Sequence, residues 1–308
     1  MNNTFLITEK VPEFFIQKLN SLGYKVDYKP DITSDDLGKI IENYCGILIR
    51  SRIVLNDILI NKARELRYIL RPGSGLDIID IESAKKNNIQ IINSPEGNRD
   101  AVAEHALGLL LSLMNHIPKA FNELTALKWT RKENIGNELG GKTIGIIGYG
   151  NTGSAFVQRL LSFNVKLLVY DKYKSGFGNK VVDEVNQDEI FNRADIVSFH
   201  IPLTDETNYL INDEYLKKFA NPVYLINTSR GKILNTKALV KAINSGRILG
   251  AALDVFENEN FNNLSNEETN DLQALISSNK VILTPHIAGL THESERKIFS
   301  ILLDKLDQ

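Results

Sequence analysis

The densest chemical signal lies mid-chain, where Gly148-Tyr149-Gly150-Asn151-Thr152-Gly153 follows the β-branched run Thr143 to Ile147 and opens an amphipathic stretch. Three glycines at this spacing answer three demands. Gly148 permits a tight turn, Gly150 lets the backbone approach a pyrophosphate, and Gly153 allows close helix-strand packing. Negative charge is favoured there by the free N–H groups and dipole of the helix that follows. A second apolar run ends at Asp171, 18 residues after Gly153. A carboxylate at that point accepts hydrogen bonds from both hydroxyls of an adenosine ribose and repels a ribose 2′-phosphate. The pattern predicts NAD over NADP, with Lys172 and Lys174 softening the exclusion. The alternative, a glycine turn that binds nothing, leaves the register of strand, helix, second strand and terminal acid unexplained.

A nicotinamide enzyme acting on a hydroxy acid needs a base for the hydroxyl proton and a cation for the carboxylate. The chain has five histidines. His105 lies in an apolar helical run and His116 at its end, where packing or capping is the ordinary role; His292 opens a terminal helix and is expected to be exposed. His200, in SFHIPL, ends a strand on the cofactor side and could line the site without doing chemistry. His286, in VILTPHIAG, follows a strand and Pro285 and precedes Ala288-Gly289, which makes it the best-placed base. Arg230, in VYLINTSRGKIL, sits just beyond a strand end, where ligands collect in open α/β sheets. Its planar guanidinium can hold a carboxylate bidentately and touch the adjacent 2-oxygen. Read alone, it could equally be a surface arginine capping the next turn.

These groups need elements to position them. FLIT (5–8), YKVDY (24–28), GILI (46–49), YIL (68–70) and IQII (89–92) alternate with amphipathic stretches, which reads as βαβ units around a parallel sheet. A second series follows in TIGII (143–147), KLLVY (166–170), IVSF (196–199), VYLIN (223–227), LGAAL (249–253) and VILT (281–284). Between them, residues 98–116 form a helix too apolar on every face for an exposed position. Burial between domains and a place in a dimer interface both fit it, and the two are compatible. Residues 257–271, ENENFNNLSNEETND, read mostly as a solvated loop. His292 to Leu306 is an amphipathic terminal helix expected to dock on the first domain.

With 308 residues and 43% hydrophobic content, the chain has room for two cores. Lys and Arg number 36 against 38 Asp and Glu, a net charge of -2, so no global field draws it to nucleic acid or an anionic membrane. A single cysteine, Cys45, and the lack of zinc-ligand spacing exclude an intramolecular disulfide and a structural zinc; no metal is expected. The N-terminus has no signal-peptide pattern and no apolar run spans a membrane, so a cytoplasmic location is expected.

Six motifs then converge. VAEHALGLLL (102–111), the glycine turn with Asp171, SFHIPLT (198–204), INTSRG (226–231), AALDVFENE (251–259) and LTPHIAG (283–289) resemble, in order and spacing, the D-isomer-specific 2-hydroxyacid dehydrogenases. The resemblance covers essentially the whole chain. It implies an α/β fold of two domains, a Rossmann NAD-binding domain at 98–284 inserted into a flavodoxin-like substrate domain at 1–97 plus 285–308. It also implies a site in the cleft between the domains, and a catalytic set Arg230, Glu259 and His286. A carboxylate beside His286 favours the imidazolium, so the histidine can give a proton to a 2-oxo group in reduction and accept the hydroxyl proton in oxidation. The family usually has proline after that glutamate, whereas Asn260 stands here.

Cofactor contacts implied by the resemblance are Gly148, Gly150, Asn151, Thr152, Gly153 and Asp171, then His200, Ile201 and Pro202 on the adenosine side. Thr228 and Ser229 follow beside the nicotinamide, with Asp254 accepting from the carboxamide and Gly289 nearby. RPGSGLDIID (71–80) matches the family's glycine loop, with Ser74 and Gly75 offering N–H groups to a carboxylate; Ile78 stands where asparagine is usual. Arg50, Ser51 and Arg52 of LIRSR (48–52), with PEGNRDAVAEH (95–105), resemble segments of members that oxidise D-3-phosphoglycerate. They offer up to two guanidiniums and a hydroxyl to a phosphate, and Asn98 a polar contact. The other reading has one arginine in solvent and the other paired locally. Glyoxylate, hydroxypyruvate and D-lactate are alternative substrates on the same catalytic set. Because the chain ends just after its terminal helix, feedback through a C-terminal sensing domain is not expected. A non-enzymatic alternative is an NAD(H)-binding corepressor that binds peptides, and a homodimer through the 98–116 region is the expected assembly.

Overall fold

The computed structural model describes residues 3–308. The chain divides into two units, Met1–Arg99 with Leu290–Gln308, and Asp100–Gly289. The divisions fall two and five residues after those read from the sequence, at 97/98 and 284/285, and leave His286 and Gly289 in the second unit.

The first unit is built on five strands, β1 (Thr4–Ile7), β2 (Lys25–Tyr28), β3 (Gly46–Leu48), β4 (Tyr68–Arg71) and β5 (Gln90–Asn93). All pair in parallel, in the flavodoxin-like order β2-β1-β3-β4-β5. Alternation along β1 splits the core: Phe5 and Ile7 face a cluster with Phe15, Leu48 and Leu70, while Leu6 faces another with Ile47, Ile69 and Leu59. The terminal helix His292–Leu306 completes the first of these clusters through Phe299 and Leu302. The Phe299 ring meets Phe15 edge-on at 5.0 Å, and Lys305 Nζ reaches the Asn93 carbonyl at 2.9 Å and the Glu96 carboxylate at 3.0 Å.

The second unit carries seven parallel strands, β6 (Thr143–Ile147), β7 (Lys166–Tyr170), β8 (Asp183–Glu184), β9 (Ile196–Phe199), β10 (Val223–Asn227), β11 (Ile248–Leu253) and β12 (Val281–Leu283). Their order, β12-β11-β10-β9-β6-β7-β8, reverses between β6 and β9, as in a Rossmann domain. Ligands of such sheets bind beyond the carboxyl ends of the strands at that reversal. The two-residue β8, exposed and acidic, has no apolar signal and was not foreseen.

The apolar helix spans Arg99–Met114 and is a core element of this unit: Ala103, Ala106, Leu110 and Met114 are buried against Ile144, Phe156, Ile226 and Ala252. The 257–271 segment departs from its reading as a loop. A helix, Asn266–Ser277, begins inside it at a reciprocal cap between Ser265 and Glu268, and buries only Leu275. Its polar composition reflects that exposure, while the Ser-x-x-Glu cap marks its start. Among the described residues, no helix is long and apolar enough to cross a membrane, and no group of three His, Cys, Asp or Glu could hold a metal.

Candidate active site

The glycine turn sits at the carboxyl end of β6, at the strand-order reversal. Gly148 adopts φ +96°, and a side chain there would lie 2.5 Å from the His200 carbonyl oxygen; one on Gly153 would meet the Gly148 carbonyl at 2.1 Å. Gly150, by contrast, faces open space. The helix Asn151–Leu160 starts directly after it with no side-chain cap, so its first-turn N–H groups lack a side-chain acceptor. Asn151 and Thr152 are half-buried there.

Asp171 follows β7. Its carboxylate braces the turn, with Oδ2 accepting from the Tyr149 N–H at 2.8 Å and Oδ1 from Tyr173 and Lys174 N–H at 2.9 and 3.1 Å. Three of roughly four lone-pair sites are thus used by the backbone. Lys174 Nζ binds the Tyr149 carbonyl at 2.9 Å and Lys172 Nζ binds Glu206 at 2.5 Å, so both ammonium groups have partners. The buried ring of His200 turns to Ser198 Oγ at 2.9 Å, and its carbonyl lies where a side chain on Gly148 would fall. Burial holds the imidazole neutral, its pKa lowered to about 4. Ile201 is half-buried and Pro202 exposed, its carbonyl accepting from Thr207 Oγ1 at 2.7 Å.

Beyond β10 the backbone is shaped by Asn227, a fully buried residue not singled out from the sequence. Its Nδ2 donates to the Arg230 carbonyl at 2.9 Å, and its Oδ1 accepts from Ser229 N and Oγ at 3.1 and 2.9 Å. An asparagine at the last position of a strand, able to close the following loop on itself, was the available signal. Ser229 is therefore engaged inward, whereas the buried Thr228 Oγ1 has no partner among the described residues. Arg230 Nη1 donates to the Ser229 carbonyl at 2.7 Å. Gly231 lets this loop touch the next one, since a side chain there would fall 1.8 Å from the Phe256 carbonyl oxygen.

The next loop carries Glu259. Its Oε2 lies 2.8 Å from His286 Nδ1, and its Oε1 accepts from the Phe256 N–H at 3.4 Å. Burial works to raise the Glu259 pKa, but the His286 hydrogen bond and charge, the Phe256 N–H and the Arg230 charge outweigh it, so the carboxyl stays below its usual range. Glu257, two residues earlier, does something else: it caps Thr236 N–H at 2.6 Å, and burial pushes its pKa up. Asn260 donates its N–H to Asn258 Oδ1 at 3.0 Å and keeps the loop closed.

His286 has a left-handed backbone, φ +54°, with a half-exposed side chain. Asp254, expected to accept from the carboxamide, also holds donors within the protein. It is 0% exposed, and its carboxylate accepts from Thr284 Oγ1 at 2.5 Å, Ile287 N–H at 2.9 Å and Ala288 N–H at 2.8 Å, while its carbonyl accepts from His286 N–H at 2.8 Å. Gly289 follows, half-buried.

In the first unit, the predicted substrate residues gather beyond the carboxyl ends of the adjacent strands β3, β4 and β5. Arg50 is half-buried with no partner among the described residues, and Ser51 is exposed. Arg52 is not available: its Nη2 donates to the Thr8 and Pro30 carbonyls at 2.7 and 2.6 Å, and Nη1 to Ile32. Among the described residues, only one of the two expected guanidiniums is thus uncommitted. Exposed Ser74 accepts at its carbonyl from Asn93 Nδ2 at 2.9 Å, Gly75 is half-buried, and Asn98 Oδ1 is buried without a partner among the described residues.

A family model for the NAD binding domain of the D-isomer specific 2-hydroxyacid dehydrogenases matches residues 107–288. The chain belongs to this family. Its members are NAD-dependent oxidoreductases. The chain is 36% identical over 276 residues to a hydroxypyruvate reductase from Thermotoga maritima, covering 89% of this chain and 88% of that one. It is 36% identical over 295 residues to a D-3-phosphoglycerate dehydrogenase from Synechocystis, covering 94% of this chain and 51% of that one. The chain thus spans about half the length of its phosphoglycerate dehydrogenase relatives. Among solved structures, a D-lactate dehydrogenase from Aquifex aeolicus, complexed with NAD and lactic acid, superposes with a TM-score of 0.85 at 29% identity, covering 99% of this chain and 94% of that one. The residues present suit the family's cofactor: an open glycine turn, an uncapped helix start and the orphan Thr228 hydroxyl all await polar partners.

Proposed function

We propose that this dehydrogenase interconverts D-3-phosphoglycerate and 3-phosphohydroxypyruvate, the step that opens serine synthesis, in a homodimer. The observation that carries the chemistry is the 2.8 Å contact between His286 Nδ1 and Glu259 Oε2. A carboxylate only accepts, so Nδ1 carries the proton and Nε2 is left to work on substrate. In reduction Nε2 gives its proton to the 2-oxygen; in oxidation it takes the hydroxyl proton. Arg230 holds the carboxylate and stabilises charge on the 2-oxygen. NADH, when bound, supplies the hydride. Ser74 and Gly75 offer N–H groups to the substrate carboxylate, and Asn98 is a further polar contact.

The phosphate reading rests on Arg50, a guanidinium at the carboxyl end of β3 with no competing partner among the described residues. A second reading, hydroxypyruvate reductase, is favoured by the diversion of Arg52 to three backbone carbonyls, which leaves a single cation for a dianion. NADH oxidation with 3-phosphohydroxypyruvate, run beside hydroxypyruvate, glyoxylate and pyruvate, separates them. A kcat/KM advantage of at least about a hundredfold for the phosphorylated acid, ~2.7 kcal/mol, supports the first reading. Preference for hydroxypyruvate transfers the assignment to the second, and preference for glyoxylate or pyruvate overturns both.

The dimer proposal moves along the chain from its first placement. The 99–114 helix spends its apolar surface inside the second unit, whereas Ile117, Phe121 and Leu124 line one face of the next helix (Ile117–Thr125) at 51–65% exposure. Leu127 and Trp129 follow at 95% and 79%. An apolar strip of this extent calls for a partner, and a second copy of the chain is the one proposed. Sedimentation showing a monomer at micromolar concentration removes it.

A further inference from the structure

His286 occupies a left-handed backbone conformation that is costly for a non-glycine residue and persists only where neighbours over-determine it. The neighbours are identifiable. Asp254 ties Ile287 and Ala288 through its carboxylate and His286 through its carbonyl. Thr284 Oγ1 donates to the same carboxylate at 2.5 Å. Its single proton is thereby spent, so the contact of 3.0 Å between Thr284 Oγ1 and His105 Nε2 has the imidazole as donor. His105 Nε2 also lies 3.5 Å from Asp254 Oδ1. The three side chains come from the 99–114 helix, the end of β11 and the end of β12, and together they bracket residues 284–288. All are partly or fully buried, where an unmade bond is costly.

We infer that His105 and Thr284 are positioning residues for the proton-transfer histidine: with Asp254 they hold the 284–288 segment in the one conformation that places His286 Nδ1 on Glu259. Neither touches the reacting atoms. The inference deepens the proton-transfer reading of His286 and rests on it, so its test has one readout of position and another of rate.

The position readout is two-bond 1H–15N correlation of the imidazole rings, which reports the tautomer of each of the five histidines, with His286→Ala providing the assignment. The wild-type protein should show His286 with its proton fixed on Nδ1. Thr284→Val, matched in shape but without the hydroxyl, should move His286 to the averaged pattern of a free imidazole. Thr284→Ser should restore the wild-type pattern. An unchanged His286 in Thr284→Val overturns the inference whatever the activity. In rate, Thr284→Val should lower kcat about tenfold, with KM and the NADH Kd changed less than twofold. In a His286→Ala background it should cost nothing further. An equal loss in both backgrounds also overturns it. His105→Leu against His105→Gln probes the same contact from the helix side, should Thr284→Val fail to fold. If His286→Ala itself leaves kcat unchanged, the proton-transfer reading fails instead, and the spectra still decide whether Thr284 places the ring.

Discussion

The carboxyl ends of the two sheets handle polar groups in opposite ways. In the second unit nearly every such side chain is saturated from within: Asn227 closes its own loop, Asp171 receives three backbone N–H groups, Asp254 receives three donors, and Glu259 holds His286. In the first unit Arg50 has no partner among the described residues and Asn98 Oδ1 is buried without one. Groups that do the same chemistry on every substrate profit from being fixed in advance. Groups that select a substrate stay uncommitted until it arrives, so they must be read from what they lack. If that division is right, substitutions in the second unit damage rate for all substrates and those in the first unit damage recognition of one.

The largest effect should come from His286→Ala. Removing a general acid–base costs about 10²–10⁴ in rate, and kcat should fall by that factor for every 2-oxo acid while NADH titration gives an almost unchanged Kd. Turnover that survives intact would dismantle the catalytic assignment.

Buried saturation also has a pH signature. His200 has its folded pKa depressed to about 4 by burial, against 6.5 for an ordinary imidazole. The unfolded chain binds the proton more readily, so stability is complete above the unfolded value and is lost as pH falls from 6.5 towards 4. The gap is worth roughly 3 kcal/mol once pH reaches the lower value. Thermal melts of the wild-type protein and His200→Asn between pH 4 and 7 should show the variant with a flatter acid limb. Parallel limbs would mean that the imidazole is not buried neutral.

For Arg50→Ala the expected result is selective. KM for 3-phosphohydroxypyruvate should rise about thirtyfold, ~2 kcal/mol for one lost charge-assisted contact, with glyoxylate changed less than threefold. Equal changes on both substrates would erase the proposed contrast between the sheets.

What the sequence revealed follows the same line. Strands of parallel sheets are apolar runs, so β6, β7, β9 and β10 were legible to the residue, as was the terminal helix 292–306 with its amphipathic period. The two-residue β8 and the polar 266–277 helix carry little apolar content and escaped. Residues that act by type and spacing, such as the glycine turn, were equally legible. Residues that act by sealed hydrogen bonds were not: nothing local distinguishes Asp254 facing a ligand from Asp254 facing Ile287 and Ala288, or Arg52 reading a phosphate from Arg52 stapling Thr8, Pro30 and Ile32. Those partners lie dozens of residues away, and only the fold brings them together.

Thr228 is the exception that sharpens the contrast, a buried hydroxyl in the second unit with no partner among the described residues. A buried donor left unsatisfied costs about 1–3 kcal/mol, and replacing it by an apolar group of the same shape removes that cost. Thr228→Val should therefore leave the melting temperature of the free protein unchanged or raise it. If the hydroxyl awaits the cofactor, the same change should weaken NADH about threefold to fivefold, the worth of one neutral hydrogen bond at roughly 1 kcal/mol. Calorimetric titration beside the melts separates the two terms. Gained stability with weakened binding marks Thr228 as a ligand group kept open in an otherwise saturated unit, whereas lost stability with unchanged binding would put it among the braces with Asn227.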